Sequence, residues 1–364
     1  MNPRHRHRGA SVPEKGRGAA SNPGNRFEAV QREAADDGWG TTEDDGVAGR
    51  LQTHITREVA KSILSRNDSP DIPFTQSINP YRGCEHGCIY CYARPSHAYL
   101  DLSPGLDFET RLFAKVNAAD LLREALRKPG HRSDAIALGA NTDAYQPVER
   151  ELLITRGVLE VLEACRHPVS IVTKNALVLR DLDILGRMAA RNLVQVFVSI
   201  TTLDHDIARR MEPRASSPTR RIEALKALSG AGVPCGVMVA PIVPFLTDHE
   251  TESVLEAAAR VGALRAGYVL LRLPLELDAL FSEWLAHHFP MKAGHVMSRV
   301  RAMRGGRVYD ASFGARMRGE GLLADLLAQR FRKACDRLGL NHGRSVLDTT
   351  QFRPPGPAGQ LDLF

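Results

Sequence analysis

The chain has 364 residues, 43% hydrophobic and 25% charged, the balance of an ordinary globular protein with room for one large core or two modest ones. No apolar run approaches the roughly 20 residues that cross a bilayer, and none follows the basic N-terminus, so neither a span nor a secretory leader is expected and the reading is cytoplasmic. The net charge of +6 permits a polyanionic partner without requiring one.

Residues 1–48 are rich in Arg, Gly, Ser, Pro and Asp with hardly any periodic apolar residues, and read as a basic, disordered arm. A core follows over 72–275. A short strand near Thr75 to Ile78 and the runs IALGA (136–140), VSIVTK (169–174), VQVFVSI (194–200), CGVMVAPI (235–242) and YVLLRL (268–273) read as buried strands. Between them lie amphipathic stretches such as VNAADLLREALRK, ERELLITRGVLEVLEACR and TRRIEALKALSGAG, several ended by Gly or Asn. Strand and helix alternating at this spacing mean parallel βα units. Six strands are too few for an eight-stranded barrel, which leaves a partial barrel or an open parallel sheet, with the chemistry at the strands' C-terminal ends.

Beyond the last strand, residues 276–345 read as a basic helical region. Arg299 to Arg344 carries eleven Lys/Arg against four Asp/Glu, either a solvated surface or a phosphate-facing patch.

The strongest local signal is NPYRGCEHGCIYCYARP, in which Cys84, Cys88 and Cys91 stand at C-x3-C-x2-C on a loop after the first core strand. Three thiolates on one short loop can each ligate a different iron of a cubane cluster and leave the fourth iron open for a substrate or cofactor. The competing arrangement is a structural zinc site with His86 or His97 as fourth ligand, but Cys165, Cys235 and Cys335 supply no distant ligand pair of the kind most zinc modules show.

The pattern formed by Cys84, Cys88, Tyr90 and Cys91, opening a six-strand βα core, resembles the radical S-adenosylmethionine superfamily over about residues 72–275. The resemblance implies a partial (β/α)6 barrel with a helical C-terminal extension, a [4Fe-4S] cluster whose open iron binds S-adenosylmethionine, an external electron donor and a 5′-deoxyadenosyl radical that abstracts hydrogen. GCIYCYAR, Thr173-Lys174 and SITTLDHDIARRMEPRASSPTRRIEAL further resemble the spore photoproduct lyase branch. GRGAASNPGNRFE, ALGANTDAYQPVERE and HVMSRVRAMRGGRVYD resemble a bacterial set described as DNA repair photolyase-like. Tyr90 and Tyr92 match tyrosine positions that help return hydrogen in the lyase; packing beside the cluster is the alternative for both. The lyase's donor cysteine has no match, because Ala140 and Asn141 stand in its place.

For S-adenosylmethionine, the polar strand-end residues are Asn141, Thr142, Asp143, Lys174, Ser199 and Thr201. Asp143 suits the ammonium, and Lys174 and Arg214 suit the carboxylate. Glu212 and Arg214 match an arginine-bearing segment that binds the methionine carboxylate in related enzymes, the alternative being an ion pair that fixes their loop. Asp248 and His249 either join the site or cap the next helix.

Residues 346–364 form a tail ending in QLDLF, which resembles the pentapeptide that docks bacterial DNA polymerases and repair proteins on the sliding clamp. Leu363 and Phe364 would fill an apolar pocket, Leu361 would add area and Gln360 would anchor by its amide, with RPPGPAG as tether. Together these features point to a radical enzyme acting on DNA as a repair-type lyase. RNA or protein modification is one alternative, and a non-catalytic iron-sulfur adaptor on the clamp is the other.

Overall fold

Runs of β-branched residues with alternating exposure build the centre of the molecule. In VSIVT and VQVFVS, every second residue from Val169 and from Val194 is buried against helices, while Ser170, Val172, Gln195 and Phe197 on the opposite face are half-buried. The computed structural model describes residues 15–27, 51–343 and 346–356.

In chain order the strands are β1 (His54–Glu58), β2 (Leu64–Arg66), β3 (Gln76–Ile78), β4 (Tyr81–Arg82), β5 (Arg111–Lys115), β6 (Ile136–Leu138), β7 (Val169–Thr173), β8 (Val194–Ser199), β9 (Cys235–Ile242) and β10 (Arg265–Leu270). Six of them, β3-β6-β7-β8-β9-β10, lie side by side and parallel in sequence order, with β2 antiparallel at the β3 edge. This is the expected six-strand βα succession. No hydrogen bonding joins β10 back to β2 among the described residues, so the sheet stays open.

Helices Ala118–Arg127, Ile154–Ala164, Leu182–Ala189, Pro218–Gly230 and Thr251–Arg260 fill the intervals. Leu159, Leu162, Ile184, Leu185, Leu225, Leu228, Val254 and Leu255 bury against the strands' apolar face. The stretch ERELLITRGVLEVLEACR is two helices, Glu149–Leu152 and Ile154–Ala164, because Leu153 between them takes a left-handed φ of 54°. The last strand lies three residues earlier than the apolar run suggests: β10 pairs from Arg265, and its register with β9 shifts between Tyr268 and Leu270.

A second, three-stranded sheet, in the order β1-β5-β4, has no clear sequence signal, since HITRE is exposed on most positions and forms only by pairing with RLFAK. The predicted disordered arm is also corrected in part. Residues 15–27 lie against the cysteine loop, with Arg17, Ala19 and Asn25 buried. Hydrogen bonds rather than apolar periodicity hold them, which is why composition hides them.

The C-terminal region divides. Helices Leu277–His288 and Pro290–Ala302 form a separate apolar cluster with Leu271, Leu273 and the Cys88–Tyr90 turn. Helix Leu322–Leu338 instead rejoins the main core through Leu327, Phe331 and Ala334. Part of the basic excess of residues 299–344 is matched: Arg307 pairs with Asp310, Arg316 with Asp71, Arg330 with Glu252 and Arg337 with Glu256, and Arg304 is buried on backbone carbonyls. The tether is pinned as far as Gly356. Asp348 N donates to Asn192 O (2.9 Å), Arg353 N to Cys165 O (2.8 Å) and the Arg127 guanidinium to Gly356 O (2.8 Å), all near the strands' N-terminal ends. Gln360 to Phe364 lie outside the described residues.

Candidate active site

The cysteine loop leaves β4 and is fastened by its own backbone and by buried charge. Cys84 N donates to Phe108 O (2.9 Å), Ile89 N to Met211 O (3.1 Å) and Cys91 N to Cys88 O (3.2 Å). Arg94 is fully buried; it donates to the carbonyls of Cys88 (2.8 Å), Gly87 (3.1 Å), Pro104 (3.1 Å) and Gly105 (2.9 Å), and pairs with the Glu109 carboxylate. Gly87 turns at φ 67° with its α-carbon facing that carboxylate, and a side chain there would stand 2.7 Å from Glu109 Oε2.

Burial pushes all three loop thiols above the ordinary range, and at Cys84 the nearby Asp143, Cys88 and Cys91 add to the rise. Thiols so placed need a cationic partner to ionise. His86 is engaged at both nitrogens, by Asp143 (3.3 Å) and Asn175 (3.2 Å), and His97 Nε2 meets Arg111 O (3.0 Å). Sulfurs distributed around a loop fit a multi-iron cluster, one thiolate per iron.

Below the loop, two polar knots tie the strand ends together. In the first, Asp143 Oδ1 accepts from Thr173 Oγ1 (2.7 Å) and Tyr145 N (2.9 Å), and Oδ2 accepts from Lys174 N (2.7 Å) and faces His86. Burial alone would raise its pKa, but His86 and the two backbone N–H groups outweigh that and hold it at about 2. Both Asp143 oxygens are thus engaged within the protein, joining the β6 and β7 ends to the cysteine loop.

The second knot centres on Glu212, which receives the hydroxyls of Tyr90 and Thr201 (2.7 Å for Thr201) and the guanidinium of Arg221. Arg221 also donates to Ser199 O (2.9 Å) and Ser216 O (2.7 Å). Burial works to raise the Glu212 pKa, yet Arg221 and Lys174 bring it down to about 2. Glu212 therefore takes Arg221, not its near neighbour Arg214, as ion partner. Arg214 pairs with Glu85 at 3.1 Å. Lys174 points its ammonium at Ala240 O (3.3 Å), 5.8 Å from the centre of the Tyr90 ring.

The remaining sequence-derived residues lie on the segments that follow β4, β6 and β9. Asn79 Oδ1 accepts the backbone N–H of Asn141 (2.8 Å) and of Thr142 (3.4 Å), and the Thr142 hydroxyl donates to Tyr81 O (2.9 Å). Tyr90 is buried, whereas Tyr92 is 40% exposed, carries the Arg272 guanidinium 4.0 Å over its ring, and donates its hydroxyl to Ala140 O. Asp248 and His249 lie in a short 3-10 turn without a side-chain cap bond, and it is Glu250 that reaches back to Thr202 (2.5 Å) and Leu203 N (2.7 Å).

Sequence reasoning passed over Arg221, Arg94 and Glu109. Arg221 was findable, because Arg221, Leu225 and Leu228 fall on one helical face and a charge there must be buried. Arg94 and Glu109 sit in short segments without periodicity and leave no such trace.

The family model described as "Radical SAM superfamily" matches residues 78–258. An uncharacterized protein of Mycobacterium tuberculosis (strain ATCC 25618 / H37Rv) is 38% identical over 248 residues, 67% of this chain and 72% of its own. An uncharacterized protein of Methanocaldococcus jannaschii is 31% identical over 196 residues, 54% of this chain and 70% of its own. Among solved structures, spore photoproduct lyase complexed with dinucleoside spore photoproduct superposes with a TM-score of 0.55 at 17% identity, covering 79% of this chain and 80% of that one. A variant of that lyase with bound S-adenosylmethionine and the dinucleoside spore photoproduct gives 0.56 at 17% identity and the same coverage. Family model, relatives and fold agree with the thiol loop: the chain belongs to the radical S-adenosylmethionine superfamily, and its cofactors are a [4Fe-4S] cluster and S-adenosylmethionine.

Proposed function

We propose that this radical S-adenosylmethionine enzyme acts on DNA at a damaged base. The observation that carries the reading is the half-exposed Tyr92 ring next to the cysteine loop, which lies under the Arg272 guanidinium 4.0 Å from its centre. Aromatic faces with fixed cations suit stacked bases and phosphates. The fold adds support by its likeness to a lyase whose structure holds a dinucleoside photoproduct.

Cys84, Cys88 and Cys91 would hold the cluster, and Asn141, Thr142, Lys174, Ser199 and Arg214 would meet S-adenosylmethionine. Cluster and S-adenosylmethionine together supply, when bound, a carbon-centred radical able to abstract hydrogen. The protein's own contribution is position. Asp143 locks the β6 and β7 ends, and Glu212 with Arg221 fixes Tyr90 and the β8 end.

Hydrogen return cannot follow the lyase's cysteine route, since Cys165, Cys235 and Cys335 are buried in the main core. Tyr92 instead places its hydroxyl on the carbonyl of Ala140, which with Asn141 stands where the lyase carries that cysteine. We assign Tyr92 as the hydrogen-returning group: its phenolic hydrogen atom passes to the substrate radical, and the tyrosyl radical left behind is reduced, with Tyr90 as relay, by an electron from the external donor and a proton from solvent. An external donor supplies the electron. The tail residues Gln360, Leu361, Leu363 and Phe364 bind the sliding clamp in this reading, with Gly356 pinned near the strands' N-terminal ends, away from the cysteine loop.

The test is 5′-deoxyadenosine formation by reduced enzyme with ultraviolet-irradiated or intact DNA. Stimulation by irradiated DNA, and loss of repaired product but not of 5′-deoxyadenosine in Tyr92→Phe, is the expected outcome. A rate indifferent to DNA and raised by transfer RNA would replace DNA with RNA. A reduced cluster whose spectrum ignores S-adenosylmethionine would leave only the adaptor. Removing residues 360–364 should abolish capture by immobilised clamp without changing turnover on free DNA.

A further inference from the structure

Arg17 to Arg26 cross the outer side of the cysteine loop in an extended course. Gly18 N and Ala19 N donate to the two oxygens of Glu109, each at 2.9 Å, and Arg17 Nη1 donates to the Glu109 carbonyl at 3.0 Å. The backbones touch: a side chain on Gly18 would stand 1.8 Å from Gly87 O. Ala19 is fully buried in the apolar cluster that contains Cys88, Ile89 and Tyr90.

Glu109 is the hinge of this arrangement. It is fully buried, it pairs with Arg94, and Arg94 holds the Gly87 and Cys88 carbonyls. The residue before it, Phe108, accepts Cys84 N. A buried carboxylate needs every donor it has. Two of the donors to Glu109 come from the N-terminal segment, so the seat of Cys88 depends on chain seventy residues away.

The rest of the segment is anchored independently. Leu106 N donates to Ser21 O (3.2 Å), Asp107 N to Asn22 Oδ1 (2.9 Å) and Ser103 Oγ to Pro23 O (2.7 Å). Asn25 Nδ2 reaches Asp101 (3.4 Å), Arg26 binds Pro95 O (3.1 Å) and Glu276 (3.0 Å), and Ser21 Oγ binds Glu283 (2.9 Å). Cysteine loop, the 94–110 segment and helix Leu277–His288 are thereby joined.

We propose that Arg17–Arg26 is a positioning strap for the cysteine loop: through Glu109 and Arg94 it holds the Cys88 turn in the geometry that would ligate the cluster, and it covers the Gly87–Cys88 turn against water. The experiment compares reconstituted full-length protein with Gly18→Val, reading bound iron, the rate at which an iron chelator bleaches the cluster, and the electron paramagnetic resonance signal of the reduced cluster with and without S-adenosylmethionine.

Gly18→Val should bleach about tenfold faster or more, as expected for losing two hydrogen bonds to a buried carboxylate, and should broaden the signal. Melting of the cluster-free protein should fall too, because Glu109 then stays buried with two donors fewer, and the Phe352→Ala comparison separates that loss from the effect on the cluster. If Gly18→Val itself folds poorly, Asn22→Ala with Asn25→Ala releases the distal half without inserting a group and should accelerate bleaching by a smaller factor. Wild-type bleaching in both variants would overturn the proposal. So would equal acceleration in Phe352→Ala, which loosens the opposite end of the molecule and marks what general destabilisation does.

Discussion

The two ends of the sheet are stabilised by different physics. At the strands' C-terminal ends the interior is charged: Asp143 faces His86, Glu212 pairs with Arg221, and Glu109 pairs with Arg94, all largely removed from water. At the N-terminal ends it is neutral. His131 and His167 share a hydrogen bond at 2.9 Å under the Phe352 ring, and backbone bonds lay the tail across the surface. Burying an ion pair costs several kcal/mol of desolvation that its Coulomb energy barely returns, so such pairs are weak evidence for stability. Their concentration at one end fits a demand for fixed position, where loops from different strands must meet a cofactor. The other end needs only to close the core.

Cys88→Ala breaks the comparison most severely. It should leave cluster-deficient protein, with iron content reduced and 5′-deoxyadenosine at background, while apolar packing at the far end keeps the fold intact by circular dichroism. Arg221→Met comes next, stranding Glu212 without its partner. Urea unfolding should show a loss of about 3–5 kcal/mol, partly recovered when Glu212→Gln is added.

Acid titration separates the ends by pH. His167 is held at about 4, by burial first, so the unfolded chain binds the extra proton and stability falls as pH drops from 6.5 towards 4. The shift corresponds to about 3 kcal/mol in order of magnitude. His97, beneath the cysteine loop, loses stability in the same window. Glu212 and Asp143 act lower, their contribution being complete above the ordinary carboxylate range and lost as pH falls towards about 2. Equilibrium unfolding of His167→Gln should therefore flatten only the upper limb, and that of Glu212→Gln only the lower. Phe352→Ala is the mildest, costing about 2 kcal/mol from a partly buried ring and leaving iron content unchanged.

How much was legible follows the same division. The six parallel strands could be read because alternation and short apolar runs are local, and CGVMVAPI coincides with β9 residue for residue. The cysteine loop could be read because three thiols fall within eight residues. The Asp143 knot could be named but not resolved: the residue was visible at a strand end, while its engagement by Thr173, Lys174 and His86 depends on three other segments. β1 and β5 carry no pattern of their own and exist by pairing across more than fifty residues.

Sequence alone determined the order of βα units, the thiol loop and the family, since each rests on spacing within a short window. Tertiary structure decided the partners: Arg221 rather than Arg214 for Glu212, a strap over Glu109 where composition suggested disorder, and a tail held down to Gly356. Such pairings are chosen by which distant groups are buried together, because a desolvated charge or amide must find its complement wherever the fold has placed one.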